Sequence, residues 1–217
     1  MTKPLPVGAT IGILGGGQLG RMLSVAAARL GLKTHIFEPG AGAPAGDVAH
    51  RVTTARYEDA AALTAFGQSV DVITYEFENI PTSALDLLET LAPIHPGRHA
   101  LATSQDRLVE KKFLQELGLQ TAAFADVASA ADLDAAIAEI GTPAILKTRR
   151  FGYDGKGQAR IMTPDAAAAV QLTKSVLDMQ LAPARGALHE RGGVIALKQR
   201  AHRGGDRAQV VDGVFAD

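Results

Sequence analysis

The feature that most limits how this chain can fold is a six-residue turn, Gly15-Gly16-Gly17-Gln18-Leu19-Gly20, set between a β-type run and a helical one. Residues 9–14 (ATIGIL) are short, apolar and rich in β-branched side chains. From Gln18 onward Leu19, Met22, Leu23, Ala26 and Leu30 recur at helical spacing, and Gly31 supplies a C-cap. A strand that turns on glycines directly into a helix opens a βαβ unit, and the next elements repeat the alternation. Residues 33–37 read as a second strand closed by Glu38-Pro39-Gly40, and 51–54 as a weak third. A helix over 57–66, a strand over 71–75 and a helix capped by Ser83 with Asp86 follow. Strands alternating with helices predict an α/β fold with a doubly wound parallel sheet.

Past residues 93–97, where IHPG interrupts the pattern, the elements change. A charged helix is expected over 106–117, ended by Gly118, and another from a Ser129/Asp132 cap to Ile140. A strand over 144–148, a loop rich in glycine and charge, and a strand over 158–162 come next. Thr163-Pro164-Asp165 is a helix start with proline at the first position, and the alanine-rich stretch behind it should stay helical to about residue 181.

Composition narrows the function. With 22 basic against 23 acidic residues in 217, the net charge of -1 gives no footing for general nucleic-acid binding or a polybasic membrane anchor. The basic stretch 185–207 lacks interleaved aromatics and reads as a solvated face. No cysteine means no disulfide, no thiolate metal site and no cysteine nucleophile. No apolar run reaches membrane-spanning length and no leader precedes the first strand, so a cytoplasmic protein is expected. The histidines form no metal-type pair, since Pro96-Gly97 separates His95 from His99, and no G-x-S-x-G elbow is present.

Three motifs remain. The glycine turn satisfies G-x-G-x-x-G, with Glu38 at the end of the next strand. It fits a dinucleotide, a different phosphate-bearing ligand, or a plain tight turn, because backbone amides recognise the anion rather than the rest of the molecule. Tyr75-Glu76-Phe77-Glu78-Asn79-Ile80 lies at the carboxyl end of a strand, where open parallel sheets bind ligands. Alternation puts Glu76 and Glu78 on one side, suited to a hydroxylated ligand, a metal or an amine, or to a solvated loop. The third, Lys147 to Gln158 (KTRRFGYDGKGQ), delivers a lysine from a strand into a loop with Gly152, Gly155 and Gly157. Such a loop can fold over phosphates whose charge Lys147 and Lys156 offset, or form a glycine-rich hairpin.

Together GGGQLGRML, YEFENI, Gln105-Asp106-Arg107 and KTRRFGYDGKGQ resemble the 5-(carboxyamino)imidazole ribonucleotide synthases, ATP-grasp ligases of purine biosynthesis. The resemblance implies a pre-ATP-grasp ribonucleotide-binding domain (1–100), a linker helix and small α+β lid (101–184) and a divergent tail (185–217), with the large ATP-grasp domain incomplete. It implies ATP and magnesium as cofactors and bicarbonate and 5-aminoimidazole ribonucleotide as substrates. It also implies a homodimer with neither nucleic acid nor membrane as partner. Arg107, Lys147, Gly152, Tyr153, Asp154, Gly155, Lys156, Gly157 and Gln158 match its ATP-binding positions. Tyr153, Asp154 and Lys156 fall near the bicarbonate chemistry. Gly17, Gln18, Leu19 and Glu76 fall at the ribonucleotide. No magnesium ligands can be assigned, because the tail matches neither the family's acidic adenine-binding strand nor its metal-binding domain. A partial chain without ligase activity is therefore expected. A glycinamide ribonucleotide formyltransferase, an NAD-dependent dehydrogenase and a non-enzymatic ribonucleotide-binding fragment are the alternatives.

Overall fold

The computed structural model describes residues 4–151 and 158–164, together with the backbone of 194–198. The chain divides into two compact units. The first holds residues up to Thr121 and takes back Arg149–Phe151; the second holds Ala122–Thr148 and the chain from Gly152 onward.

The first unit opens with β1 (Thr10–Leu14), α1 (Gln18–Arg29) and β2 (Lys33–Glu38). A short 3-10 helix, Pro44–Asp47, leads to β3 (Arg51–Thr54), α2 (Ala60–Gly67) and β4 (Val72–Tyr75). These strands form one parallel sheet in the order β3-β2-β1-β4. Stepping from β1 to β2 on one side and to β4 on the other creates a switch point at the β1/β4 boundary. The core beneath is Leu14, Phe37, Phe66, Ile73, Leu85 and Leu88, each at most 1% exposed. Each such side chain contributes about 1.5–3 kcal/mol of burial. Three helices follow: α3 (Thr82–Leu88), α4 (Arg98–Ser104) and α5 (Arg107–Glu116). Helices α4 and α5 lie beyond the 93–97 interruption yet pack within the first unit.

Two local expectations need correction. The helix predicted from residue 57 starts at Ala60, because the Asp59 carboxylate accepts the amide of Ala62 and fixes the start there. Tyr57 instead stacks on Phe37 with ring centroids 5.6 Å apart. The Ser83/Asp86 capping box does not form. α3 begins two residues earlier behind Pro81, with no side-chain cap, and the Asp86 carboxylate pairs with Arg98.

The second unit contains β5 (Phe124–Val127), α6 (Ala130–Ile140), β6 (Ala144–Thr148), β7 (Gln158–Ile161) and β8 (Val194–Lys198). The Ser129/Asp132 cap forms as expected: Ser129 Oγ accepts the Asp132 amide at 3.2 Å and donates to its carboxylate at 2.8 Å. The sheet is antiparallel, in the order β5-β8-β6-β7. The strand β8 comes from the stretch read as a tail of unknown fold and sits between β5 and β6. The helix expected after Pro164 lies outside the described residues.

One buried polar group stands out in the first sheet. His35 on β2 is 1% exposed, with Nδ1 2.8 Å from Ser69 Oγ and Nε2 2.8 Å from Thr53 Oγ1. The Ser69 hydroxyl donates to the Phe66 carbonyl, so its oxygen must accept from Nδ1–H, which leaves Nε2 to accept from Thr53. Burial, then the charges of Arg51 and His50, lowers its pKa to about 4. An unfolded histidine titrates near 6.5, so the unfolded chain binds the extra proton between those values. Stability should therefore fall as pH drops from 6.5 towards 4, by up to about 1.4 kcal/mol per pH unit. Urea unfolding across that range should show the slope in the natural chain, and H35N should flatten it. An unchanged slope in that variant would reject the assignment.

Candidate functional site

The carboxyl ends of β1, β2 and β4 meet the amino end of α1, and the glycine turn lies at that junction. A helix leaves its first amides without intrahelical partners. Here the Glu76 carboxylate supplies them: Oε1 accepts the amide of Gly17 and Oε2 that of Gly20, both at 2.7 Å. Glu76 is carried to this position by β4, whose end is pinned where the Glu76 amide donates to the Leu14 carbonyl at 3.1 Å. The turn glycines make the approach possible. A Cβ on Gly17 would lie 2.7 Å from Glu76 Oε1, and one on Gly20 would lie 2.8 Å from the Gly15 carbonyl.

Glu38 completes the arrangement from β2. Its carboxylate accepts the amides of Gly16 at 2.7 Å and Gly40 at 3.0 Å. In a dinucleotide site that acidic residue would take a ribose hydroxyl, and the turn amides a pyrophosphate. Here two carboxylates already occupy the amides of Gly16, Gly17 and Gly20, which leaves too few for a pyrophosphate. The dinucleotide alternative is corrected on this ground. Among the described residues, the amides of Gln18 and Leu19, both residues exposed, are the ones without a hydrogen-bond partner at the amino end of α1. Burial, then the charges of Glu38 and Glu76, pushes the Tyr57 phenol far above its ordinary range.

A cleft of about 310 Å³ opens beside these groups, lined among others by Gly17, Glu38, Ala43, Pro44, Glu76 and Phe77. It stands at the switch point of the sheet. Of the predicted ribonucleotide residues, the structure gathers Gly17, Gln18, Leu19 and Glu76 at this end of α1. Glu78 does not line the cleft, so the two acidic residues of YEFENI do not act as a pair. Burial pushes the Glu78 carboxyl up, with a backbone hydrogen bond and the charge of Arg107 pulling the other way. Glu78 Oε1 and Asn79 Oδ1 are buried with no hydrogen-bond partner among the described residues.

Gln105-Asp106-Arg107 forms a junction that sequence reasoning recognised only as a motif. Asp106 is the N-cap of α5, accepting the amides of Leu108 at 2.9 Å and Val109 at 3.3 Å. The same carboxylate receives Arg149 through Nε at 3.0 and 2.9 Å and through Nη2 at 2.6 Å. Burial alone would raise the Asp106 pKa, but the Arg149 hydrogen bonds and charge, with the two helix amides, lower it. Both side chains are about four-fifths buried, which distinguishes this pair from the exposed ones elsewhere. Arg107 begins α5, half-buried, with no hydrogen bond to its guanidinium among the described residues.

In the second unit, burial along β6 alternates, with Ala144, Leu146 and Thr148 inward and Lys147 on the other face. Lys147 stands directly opposite Gln158 of β7 in the antiparallel register. Cross-strand partners have Cβ atoms about 5 Å apart on one face. Two of the predicted ATP-side residues thus meet where the glycine-rich segment leaves and rejoins the sheet. Gly152, Tyr153, Asp154, Gly155, Lys156 and Gly157 lie outside the described residues.

Two variants test the local energetics by urea unfolding. E76Q sets an amide NH2 against one backbone amide and should cost about 1–3 kcal/mol; an unchanged midpoint would reject the capping role. D106A should cost about 3 kcal/mol, since it removes an N-cap and a two-point ion pair that is mostly buried. D106N keeps an acceptor for Leu108 and should cost less. Equal losses would mean that the helix amides contribute nothing.

Comparison with known proteins agrees with this layout. Residues 8–105 match the ribonucleotide synthetase preATP-grasp domain and residues 112–181 the ATP-grasp domain. The N5-carboxyaminoimidazole ribonucleotide synthase of Brucella melitensis is 49% identical over 180 residues, covering 80% of this chain and 50% of that protein. Its Staphylococcus aureus counterpart is 46% identical over 157 residues, covering 72% of this chain and 42% of its own length. The crystal structure of an ADP complex of an N5-carboxyaminoimidazole ribonucleotide synthetase superposes with a TM-score of 0.80 at 35% identity, over 92% of this chain and 49% of that one. The chain spans about half the length of the curated relatives it matches, and over that part it carries the preATP-grasp and ATP-grasp domains and is homologous to the N5-carboxyaminoimidazole ribonucleotide synthases.

Proposed function

We propose that this chain supplies the ribonucleotide-binding and ATP-side elements for carboxylation of 5-aminoimidazole ribonucleotide, in which ATP activates bicarbonate and ADP and phosphate are released. The observation that carries the reading is the end of α1. Two carboxylates cap its glycine turn while no group among the described residues takes the Gln18 and Leu19 amides beside the cleft at the sheet's switch point. A monophosphate suits two amides at a helix amino end, where the dipole favours an anion. Glu76, at the same edge, offers an acceptor to the N–H and O–H groups of an aminated ribonucleotide. Solved relatives include complexes with ADP and with ATP.

On the ATP side, Arg107, Lys147 and Gln158 are assigned to the nucleotide, with Gly152, Gly155 and Gly157 closing over its phosphates. Tyr153, Asp154 and Lys156 are assigned to the bicarbonate chemistry. Phosphoryl transfer needs charge neutralisation and alignment, and two cations with a glycine-rich segment provide both. A closed site would also protect carboxyphosphate from water. Magnesium would accompany ATP. Among the described residues no cluster of three or more acidic or imidazole groups stands ready for a metal, so none is assigned as its ligand and no step is derived through it.

The same reading carries a cytoplasmic homodimer. Met22 and Val25, exposed on α1, would serve an association surface, and no described helix is long and apolar enough to cross a membrane.

Calorimetric titration of the folded 217-residue chain with 5-aminoimidazole ribonucleotide should show saturable binding. ADP release from ATP, magnesium and bicarbonate should be followed in parallel. Release that requires the ribonucleotide extends the reading to the complete reaction. No binding by a folded sample would overturn it.

A further inference from the structure

Gln105 is 8% exposed, and every polar atom of its carboxamide is engaged. Nε2 donates to the carbonyl of Glu78 at 2.6 Å and to that of Ile80 at 2.5 Å. Oε1 accepts from Arg150 Nη2 at 3.0 Å. Beside it, the Arg107 amide donates to the Arg149 carbonyl at 3.0 Å, and the Asp106 carboxylate holds the Arg149 guanidinium. One short stretch, residues 105–107, therefore grips two separate parts of the chain. One is the loop that follows Glu76. The other is Arg149–Arg150, the segment that follows Lys147.

Resting on the function proposed above, we propose that Gln105 is a positioning residue that sets where the Glu76 loop stands and ties it to the Arg149–Arg150 segment. Its chemistry suits the task. Two carbonyl oxygens converge on one NH2 and a guanidinium on the opposite oxygen, a pattern that only a primary amide satisfies at both ends. A carboxylate would repel the carbonyls, and an apolar chain would leave them buried and unpaired. The loop between is anchored at only a few points. Upstream, the Glu76 amide is held by Leu14 and its carboxylate by Gly17 and Gly20. Downstream, Gln105 fixes residues 78 and 80. Glu76 thus stands between two clamps, and freeing the second leaves its carboxylate on the α1 amides with one end of its loop loose. Such a residue touches no substrate and acts through Glu76.

Hydrogen exchange at the Gly17 and Gly20 amides reports on Glu76 directly and needs no ligand. In Q105M, which fills the same volume, those two amides should exchange about tenfold faster, while the β1 and β2 amides keep their protection. Affinity for 5-aminoimidazole ribonucleotide should fall about tenfold in the same variant. If Q105M does not fold, Q105N keeps the amide but is one methylene short of both carbonyls and should show the same selective loss. R150M, which removes the partner of Oε1 and leaves both Nε2 contacts in place, should shift Gly17 and Gly20 in the same direction by less. Unchanged exchange at Gly17 and Gly20 in a folded Gln105 variant would overturn the proposal. So would an equal rise throughout the first sheet, which marks a purely structural role. If the natural chain binds no ribonucleotide, the function proposed above fails, and the exchange at Gly17 and Gly20 still decides the role of Gln105.

Discussion

A carboxylate seated on the first amides of α1 is the contact from which the rest of the first unit takes its meaning. The parallel sheet brings β4 beside β1, so the residue after Tyr75 arrives at the amino end of the helix that follows β1. Glu76 fills that position with both oxygens on backbone amides. A helix amino end carries partial positive charge, and an ionised acceptor there gains more than a neutral one. The glycines of the turn let the carboxylate reach the backbone, and Glu38 does the same one strand away. A turn that looks like an empty cradle for a large anion is therefore mostly filled by the protein's own charge, and what remains is sized for a small one.

The second organising element is the stretch from Gln105 to Arg107. Its backbone starts a helix, its side chains hold two arginines and two carbonyls, and these groups are buried or partly buried. Isolated surface ion pairs contribute little. This one differs because it is bidentate and mostly buried, and because its carboxylate also caps a helix. Hydrogen bonds that share partners in this way reinforce one another, so the junction holds as a set.

Much of the α/β architecture could be read directly, because period and punctuation agree. Strands β3 and β6 fall on their expected residues, and the Ser129/Asp132 cap is plain in the spacing. Where neighbours in space decide, the sequence misleads. Ser83 and Asp86 have the spacing of a capping box, but Arg98 draws the aspartate away. The glycine motif signals anion binding, and it does bind anions, only they are side chains from β2 and β4. Nothing local to Glu38 or Gln105 shows that the one would close on Gly16 and the other reach back to residue 78. Those are contacts over 22 and 27 positions that exist only once the sheet is built. Helix α4 and strand β5 go unread, being short and not bracketed on both sides by the turn signals that mark elements of the same length.

The place of β8 bears on the order in which the molecule can be made. The first sheet draws all its strands from the opening 75 residues and pairs them with one another. The second sheet keeps its inner place between β5 and β6 for a strand that begins at Val194. Until the ribosome has delivered that strand, β5 has no partner and β6 is bonded on one side only. Pairings across such long stretches are slow to form, and a strand edge left waiting is prone to stray association. Synthesis is thus vectorial in its consequences: the amino-terminal half matures early, while its successor stays open to chaperones and to error until the late strand arrives.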